Sequence, residues 1–159
     1  MIEVRLEIDE IRLAAQGGIE RHLWRLEKRP EMKNKFGDEH WEPDIVGAIA
    51  EYAVAKAFGI FWKPTVGELC VRDVGPLEVR ASVAGPCMVL YPNNPEDAPF
   101  VFVLGGPPVL RIVGWIMGRD GKCREYWRDE PSVRKAGFFV PQSKLRPLKE
   151  LRLLKLAAA

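Results

Sequence analysis

The sequence predicts a mixed α/β domain in which helices come first and a mainly antiparallel sheet follows. Three observations carry this. Residues 45–58, IVGAIAEYAVAKAF, are small and apolar and run into Gly59, the pattern of a packed helix with a glycine stop. From about residue 68 the pattern becomes β-rich, with ELCVRD, LEVRAS, MVLY, FVFVL and LRIVGWIMG in succession. Proline- and glycine-rich turns separate those runs.

Taken in order, residues 2–7 alternate enough for a short first strand. Asp9 is the expected cap of a first helix, EIRLAAQGGIERHLWRLEKR, in which Ile11, Leu13, Ala14, Ile19, Leu23 and Leu26 keep an approximate helical period. Gly17 and Gly18 are expected to weaken its middle, and Pro30 to end it. EMKNKFGDEHWEP reads as a loop, and Asp44 as the cap of the second helix. ELCVRD and LEVRAS flank Val74-Gly75-Pro76, an expected hairpin turn. FFV reads as one more strand, and KLRPLKELRLL as a short closing helix or an extended edge.

The chain of 159 residues is sized for one domain, expected over residues 1–154, with 155–159 resembling an expression-vector scar. A net charge of +2 neither requires nor opposes a nucleic-acid partner. Cys70, Cys87 and Cys123 form no CxxC pair and read as free thiols in the core of a protein from a reducing, cytoplasmic compartment. No apolar stretch is long enough to span a membrane, and the N-terminus has no signal-peptide pattern. P-loop and GxGxxG patterns are absent, and Ser82 and Ser143 lack the histidine context of a nucleophile triad. His22 reads as structural, and the Asp38-Glu39-His40 cluster as a solvated loop.

Chemistry gathers in the middle of the chain. Glu51 and Lys56 are the only charged residues between Ile45 and Phe58, and the helical neighbours of Glu51 are Gly47, Ala48, Val54 and Ala55. A carboxylate on such a face is costly unless a positive group meets it. In LEVRAS, Glu78, Arg80 and Ser82 alternate with Leu77, Val79 and Ala81, so Glu78 and Arg80 share the polar face. Asp73, just before the turn, can come back beside Glu78, and two adjacent carboxylates favour a cation between them.

A helix glutamate followed by Asp-x(4)-Glu-x-Arg across a turn resembles the PD-(D/E)XK nuclease superfamily, over roughly residues 44–83. GAIAEYAVAKAFG, DVGPLEVRAS and IVGWIMG also look like segments of small phage-encoded members. The resemblance implies a restriction-endonuclease-like fold and a Mg²⁺- or Mn²⁺-dependent deoxyribonuclease. Asp73 and Glu78 would be metal ligands, Glu51 a ligand or water-holding partner, and the Val79 carbonyl part of the shell. Two departures stand out. Arg80 replaces the family's lysine and cannot act as a general base, because arginine stays protonated. The usual helix after the active-site strand is also missing. The alternative is therefore a catalytically inactive protein of this fold that binds DNA or protein, with Arg80 paired to an acid in place of metal.

Basic residues suggest where DNA would lie. Arg21, Arg25, Lys28 and Arg29 fall near the end of the first helix, and Arg134, Lys135, Lys144, Arg146, Lys149 and Arg152 enrich the last quarter. Of these, Arg21, Arg25, Arg134, Lys135 and Lys144 are the expected phosphate contacts. The sequence leaves a homodimer open.

Overall fold

The computed structural model describes residues 1–28, 40–67, 71–130 and 135–151. Its main sheet has strands β1 (Ile2–Arg5), β2 (Glu78–Ser82), β4 (Pro99–Gly106) and β5 (Val109–Met117), in the order β1-β5-β4-β2. A second sheet, in the order β3-β7-β6, combines β3 (Cys87–Leu90), β6 (Trp127–Arg128) and β7 (Gly137–Pro141). Among the described residues, β2 and β4 pair in parallel and the other strand pairs are antiparallel. Helix α2 (Glu42–Phe58) packs on one face of the main sheet, and α1 (Ile8–Lys28) packs on α2. The class is the one expected: mixed α/β, mainly antiparallel, with helices at its flank.

β4 explains why its sequence is apolar almost throughout. Val101 and Val103 face the cluster under α2, whereas Phe100, Phe102 and Leu104 face a second cluster with Met88, Leu90 and Val140 from the small sheet. A strand covered on both faces loses the polar alternation of a surface strand. β2 is one of the sheet's two edge strands, with β1, so one long side of it stays open to whatever packs around the sheet margin.

Several expected details shift. β1 stops at Arg5, and α1 starts at Ile8, before Asp9. Glu10 instead reaches back to accept the Glu7 backbone N–H at 2.7 Å, as in a capping box. Gly17 and Gly18 are the seat on which α1 packs rather than its weak point. A Cβ on Gly18 would lie 2.6 Å from Ile45 Cα, so α2 can approach only because it is absent. The buried face of α1 is Ala14, Gly17, Gly18 and His22, while Leu13, Leu23 and Leu26 are exposed. Helix–helix distance was set by the smallest side chains, and the leucine period lies on the outside.

α2 begins at Glu42, with Pro43 in its first turn, so these two residues leave the expected loop. Trp41 occupies the cap position, and Asp44 is used elsewhere. Gly59 stops the helix in the left-handed region at φ 63°, as expected. Around Val74-Gly75-Pro76 the chain makes a tight turn closed by a single Val74–Leu77 bridge; residues 71–73 of the expected ELCVRD strand are not in a strand, residues 68–70 lie outside the described residues, and β2 then pairs with β4. The strands expected at MVLY, FVFVL, LRIVGWIMG and FFV are all present. Near the end, Arg146 bridges Trp115 and a helical turn starts at Leu148. Cys87 is half-buried and Cys123 exposed, so neither is a core residue. Pro30, Asp38, Glu39, Cys70, Arg134 and residues 155–159 lie outside the described residues.

Candidate functional site

The open edge of β2 and the first turns of α2 bound a groove of about 700 Å³. Its wall on the helix side includes Glu42, Asp44, Val46, Gly47 and Glu51, and on the strand side Val79 to Val83, with Asp73, Arg21, His40 and Tyr91 completing it. Because β2 is an edge strand, residues from both of its faces reach this groove. Three of the four expected catalytic residues, Glu51, Asp73 and Arg80, line it together.

Glu51 is 3% exposed, and its partner comes from the other helix. Arg21 Nη1 donates to Oε1 and Nη2 to Oε2, both at 2.8 Å, and Nη2 also donates to Thr65 Oγ1 at 3.1 Å. Burial nevertheless raises the Glu51 pKa; Arg21 opposes the shift, and the nearby Asp73 charge adds to it. Trp62 Nε1 also favours the charged carboxylate, although it is buried without a hydrogen bond of normal geometry. Burial likewise pulls on Arg21, yet Glu51, Asp73 and Asp44 outweigh it and hold that guanidinium charged.

Asp73 has a structural duty as well. Its Oδ2 accepts the Val79 backbone N–H at 2.8 Å, which ties the turn to the start of β2. Arg80 lies at ion-pair distance from both neighbouring acids, 3.7 Å from Asp73 and 3.7 Å from Glu78. Its Nη1 donates to the Val79 carbonyl at 2.7 Å, and its guanidinium sits 4.9 Å over the Phe100 ring. The Val79 carbonyl, an expected metal ligand, is thus already a hydrogen-bond acceptor.

Glu78 stands apart from the groove wall. Arg72 Nη1 donates to it at 3.2 Å, while Arg72 Nη2 reaches Asp97 at 3.0 Å. Burial first, and the Asp73 charge second, raise the Glu78 pKa against the pull of Arg72 and Arg80. Among the described residues, no three His, Cys, Asp or Glu side chains are grouped closely enough to cage a metal ion.

Of the expected phosphate contacts, Arg21 is engaged with Glu51 inside the groove. Arg25 donates to Asp44 at 3.0 Å, in a cluster with His22, whose Nδ1 is 2.8 Å from the same carboxylate and whose ring stacks on Trp41 at 4.2 Å. Lys135 is exposed, 4.8 Å over the ring of Tyr91 at the groove. Lys144 is exposed beyond β7, outside the groove.

Sequence reasoning missed the Arg21–Glu51 pair, the role of Arg72, and the His40 and Tyr91 walls. The first was findable. A buried carboxylate needs a cation, and Arg21 sits one turn after the Gly17-Gly18 seat, on the face of α1 that meets α2. Nothing in the local pattern marked Tyr91. No protein-family model, curated protein or solved structure matches this chain. Among the described residues, no helix is long and apolar enough to cross a membrane.

Proposed function

We propose that the groove is the cleft of a divalent-metal-dependent nuclease that hydrolyses DNA phosphodiester bonds, in the manner of the PD-(D/E)XK group. The observation that carries this reading is the charge of the wall: four carboxylates, Glu42, Asp44, Glu51 and Asp73, face two guanidinium groups, Arg21 and Arg80. A polyanion enters a groove with that balance only when a further cation accompanies it. Mg²⁺ is commonly held by one or two carboxylates together with substrate phosphates, which suits a wall without a ready-made cage. Glu51 and Asp73 are the residues that would hold Mg²⁺ or Mn²⁺, with Glu78 supporting Arg80 from behind. The bound ion would polarise the scissile phosphate and acidify a water. Arg80, permanently charged, stabilises negative charge as it develops on the phosphate.

One observation favours a second reading. Arg80 spans Asp73 and Glu78, and Arg21 engages both oxygens of Glu51, so each of these three acids already has a cationic partner. On that reading the protein keeps the nuclease architecture and binds DNA or a protein without cutting.

Incubation of wild type and Asp73→Asn with single-stranded and duplex DNA in Mg²⁺, Mn²⁺ or EDTA, followed on denaturing gels, separates the two. Cleavage by wild type in either metal, lost in EDTA and in Asp73→Asn, is the expected result. Binding without cleavage in both metals sinks the nuclease reading in favour of the second.

A further inference from the structure

Gly47 lies in the interior of α2 and on the wall of the groove, at a position where packing does not ask for glycine. Its backbone is not in the left-handed region that favours glycine. A Cβ added there would meet a single atom within 4 Å, Arg21 Nη1 at 3.8 Å, which is ordinary contact. Gly17 and Gly18 differ, because an added Cβ would come to 2.9 Å from Trp62 and 2.6 Å from Ile45. Glycine is also less favourable than alanine in a helix interior, so Gly47 weakens α2. What its missing side chain does is leave Arg21 uncovered toward the groove.

Arg21 is placed to use that opening. Each Nη of a guanidinium carries two protons. Both on Nη2 are engaged, by Glu51 and Thr65, and one on Nη1 by Glu51. The other Nη1 proton, on the nitrogen beside Gly47, has no acceptor among the described residues. The three bonds fix the fork in place, so an anion arriving at Nη1 has no arginine side chain left to order.

Resting on the nuclease reading, we propose that Gly47 is a window in α2 through which a phosphate oxygen of bound DNA reaches Arg21 Nη1. Arg21 then positions the DNA backbone against Asp73 and Arg80 on the same wall, while it keeps its hold on Glu51. The contact is to backbone, so it fixes register without reading sequence.

The test is Gly47→Ala, which adds one methyl group and changes no charge. The variant should melt about 2–4 °C above wild type, because alanine is the better helix former. DNA binding is read by fluorescence anisotropy on a labelled oligonucleotide, as a strand and as a duplex, in Ca²⁺ so that binding is separated from cleavage. In the form that wild type binds tighter, affinity should fall roughly 10- to 150-fold, the range of one lost hydrogen bond to a charged group. The slope of log affinity against log salt should also flatten by about 0.7 on a strand or about 0.9 on a duplex, the signature of one lost phosphate contact. A local packing change alone would not move that slope. Unchanged affinity overturns the proposal, as does weaker binding with an unchanged slope, or a melting temperature below that of wild type. Wild type that binds neither form at low salt overturns it together with the nuclease reading. Gly47-dependent binding with the flatter slope, but no cleavage in Mg²⁺ or Mn²⁺, supports the window and refutes the nuclease reading. Metal-dependent cleavage by wild type, with binding that Gly47→Ala leaves intact, does the reverse.

Discussion

Arg21 and Glu51 meet fork to fork, Nη1 to Oε1 and Nη2 to Oε2 at 2.8 Å each, and so join α1 to α2 by charge one turn beyond the glycine seat. The pair is asymmetric in its surroundings: the Glu51 side chain is 4% exposed and that of Arg21 23%. Removing the arginine therefore strands a charge that water cannot reach.

Arg21→Met keeps most of the aliphatic stem and removes only the fork. It should cost about 3–5 kcal/mol at neutral pH, the usual penalty for leaving a buried charge without its partner. The loss should shrink as pH falls, because Glu51 can then be buried neutral. Urea unfolding at two pH values measures both, and a loss below about 1 kcal/mol would show that the pair behaves like a surface bridge.

The glycine seat yields a second expectation. Gly18→Ala drives a methyl group against backbone, 2.6 Å from Ile45 Cα and 2.7 Å from the Asp44 carbonyl oxygen. Backbone cannot rotate away, so α1 must move, at about 1–3 kcal/mol for overpacking. The shift would also loosen Arg21 from Glu51. A thermal melt of Gly18→Ala no lower than that of wild type would remove the seat from the account.

How much of this was legible follows from range. The β4 and β5 strands, the body of α2 and its Gly59 stop are written in runs of adjacent residues, and they stand where the pattern put them, although α2 starts two residues before its expected cap. The meeting of Asp73, Glu78 and Arg80 was legible too, because turn and strand alternation are local, whereas the place of Glu51 beside them was implied only by the family resemblance. The identity of partners distant in sequence was harder to read: Glu51's need for a cation was legible, but Arg21 lies 30 residues away, and Arg72 holds Asp97 from 25 residues away. Periodicity also misled. Leu13, Leu23 and Leu26 looked like the core face of α1, yet glycine allowed the closer approach and turned the leucines outward.

Glu78 supplies a pH-dependent prediction. Its folded pKa is raised above the ordinary 4.5, chiefly by burial and then by Asp73. Between the ordinary and the raised value the folded protein binds more protons than the unfolded chain, so stability falls as pH rises through that window. Glu78→Gln removes the titration and should flatten this fall, with a melting temperature at neutral pH equal to or above that of wild type. Arg72 keeps Asp97 and Arg80 keeps Asp73 in the variant, so neither arginine is stranded. A clear drop in melting temperature would mean that the Arg72 and Arg80 pairings outweigh the cost of burying Glu78, the outcome expected of an arginine-neutralised site.

Divalent cations should stabilise the folded protein through Glu51 and Asp73. At a concentration one hundred times the dissociation constant, binding to the folded state alone adds about 2.7 kcal/mol. That corresponds to several degrees in melting temperature for a domain this size. Asp73→Asn can still accept the Val79 N–H through its amide oxygen but lacks the charge a hard cation needs, so its Mg²⁺ shift should vanish while its fold persists. An equal shift in wild type and variant would assign the ion to another place.

Arg80→Lys restores the residue type that the nuclease resemblance expects, and it changes two properties at once. An arginine cannot release its proton, whereas a lysine can when burial depresses its pKa. A lysine is also a point donor, so it cannot bond the Val79 carbonyl, span Asp73 and Glu78, and lie over Phe100 in the way the planar guanidinium does. The substitution should therefore cost about 0.5–1 kcal/mol of stability from the weaker cation–π contact, small enough to leave the fold intact. Cleavage, measured under saturating Mg²⁺ across pH, should rise above wild type on the alkaline side, where some of the lysine is neutral and accepts a proton from the attacking water. The carboxylates of Asp73 and Glu78 on either side favour the charged lysine, which is why the gain should be confined to high pH. If stabilising charge on the phosphate is all that position 80 supplies, cleavage by the lysine variant falls below wild type at every pH, and the substitution recovers no general base.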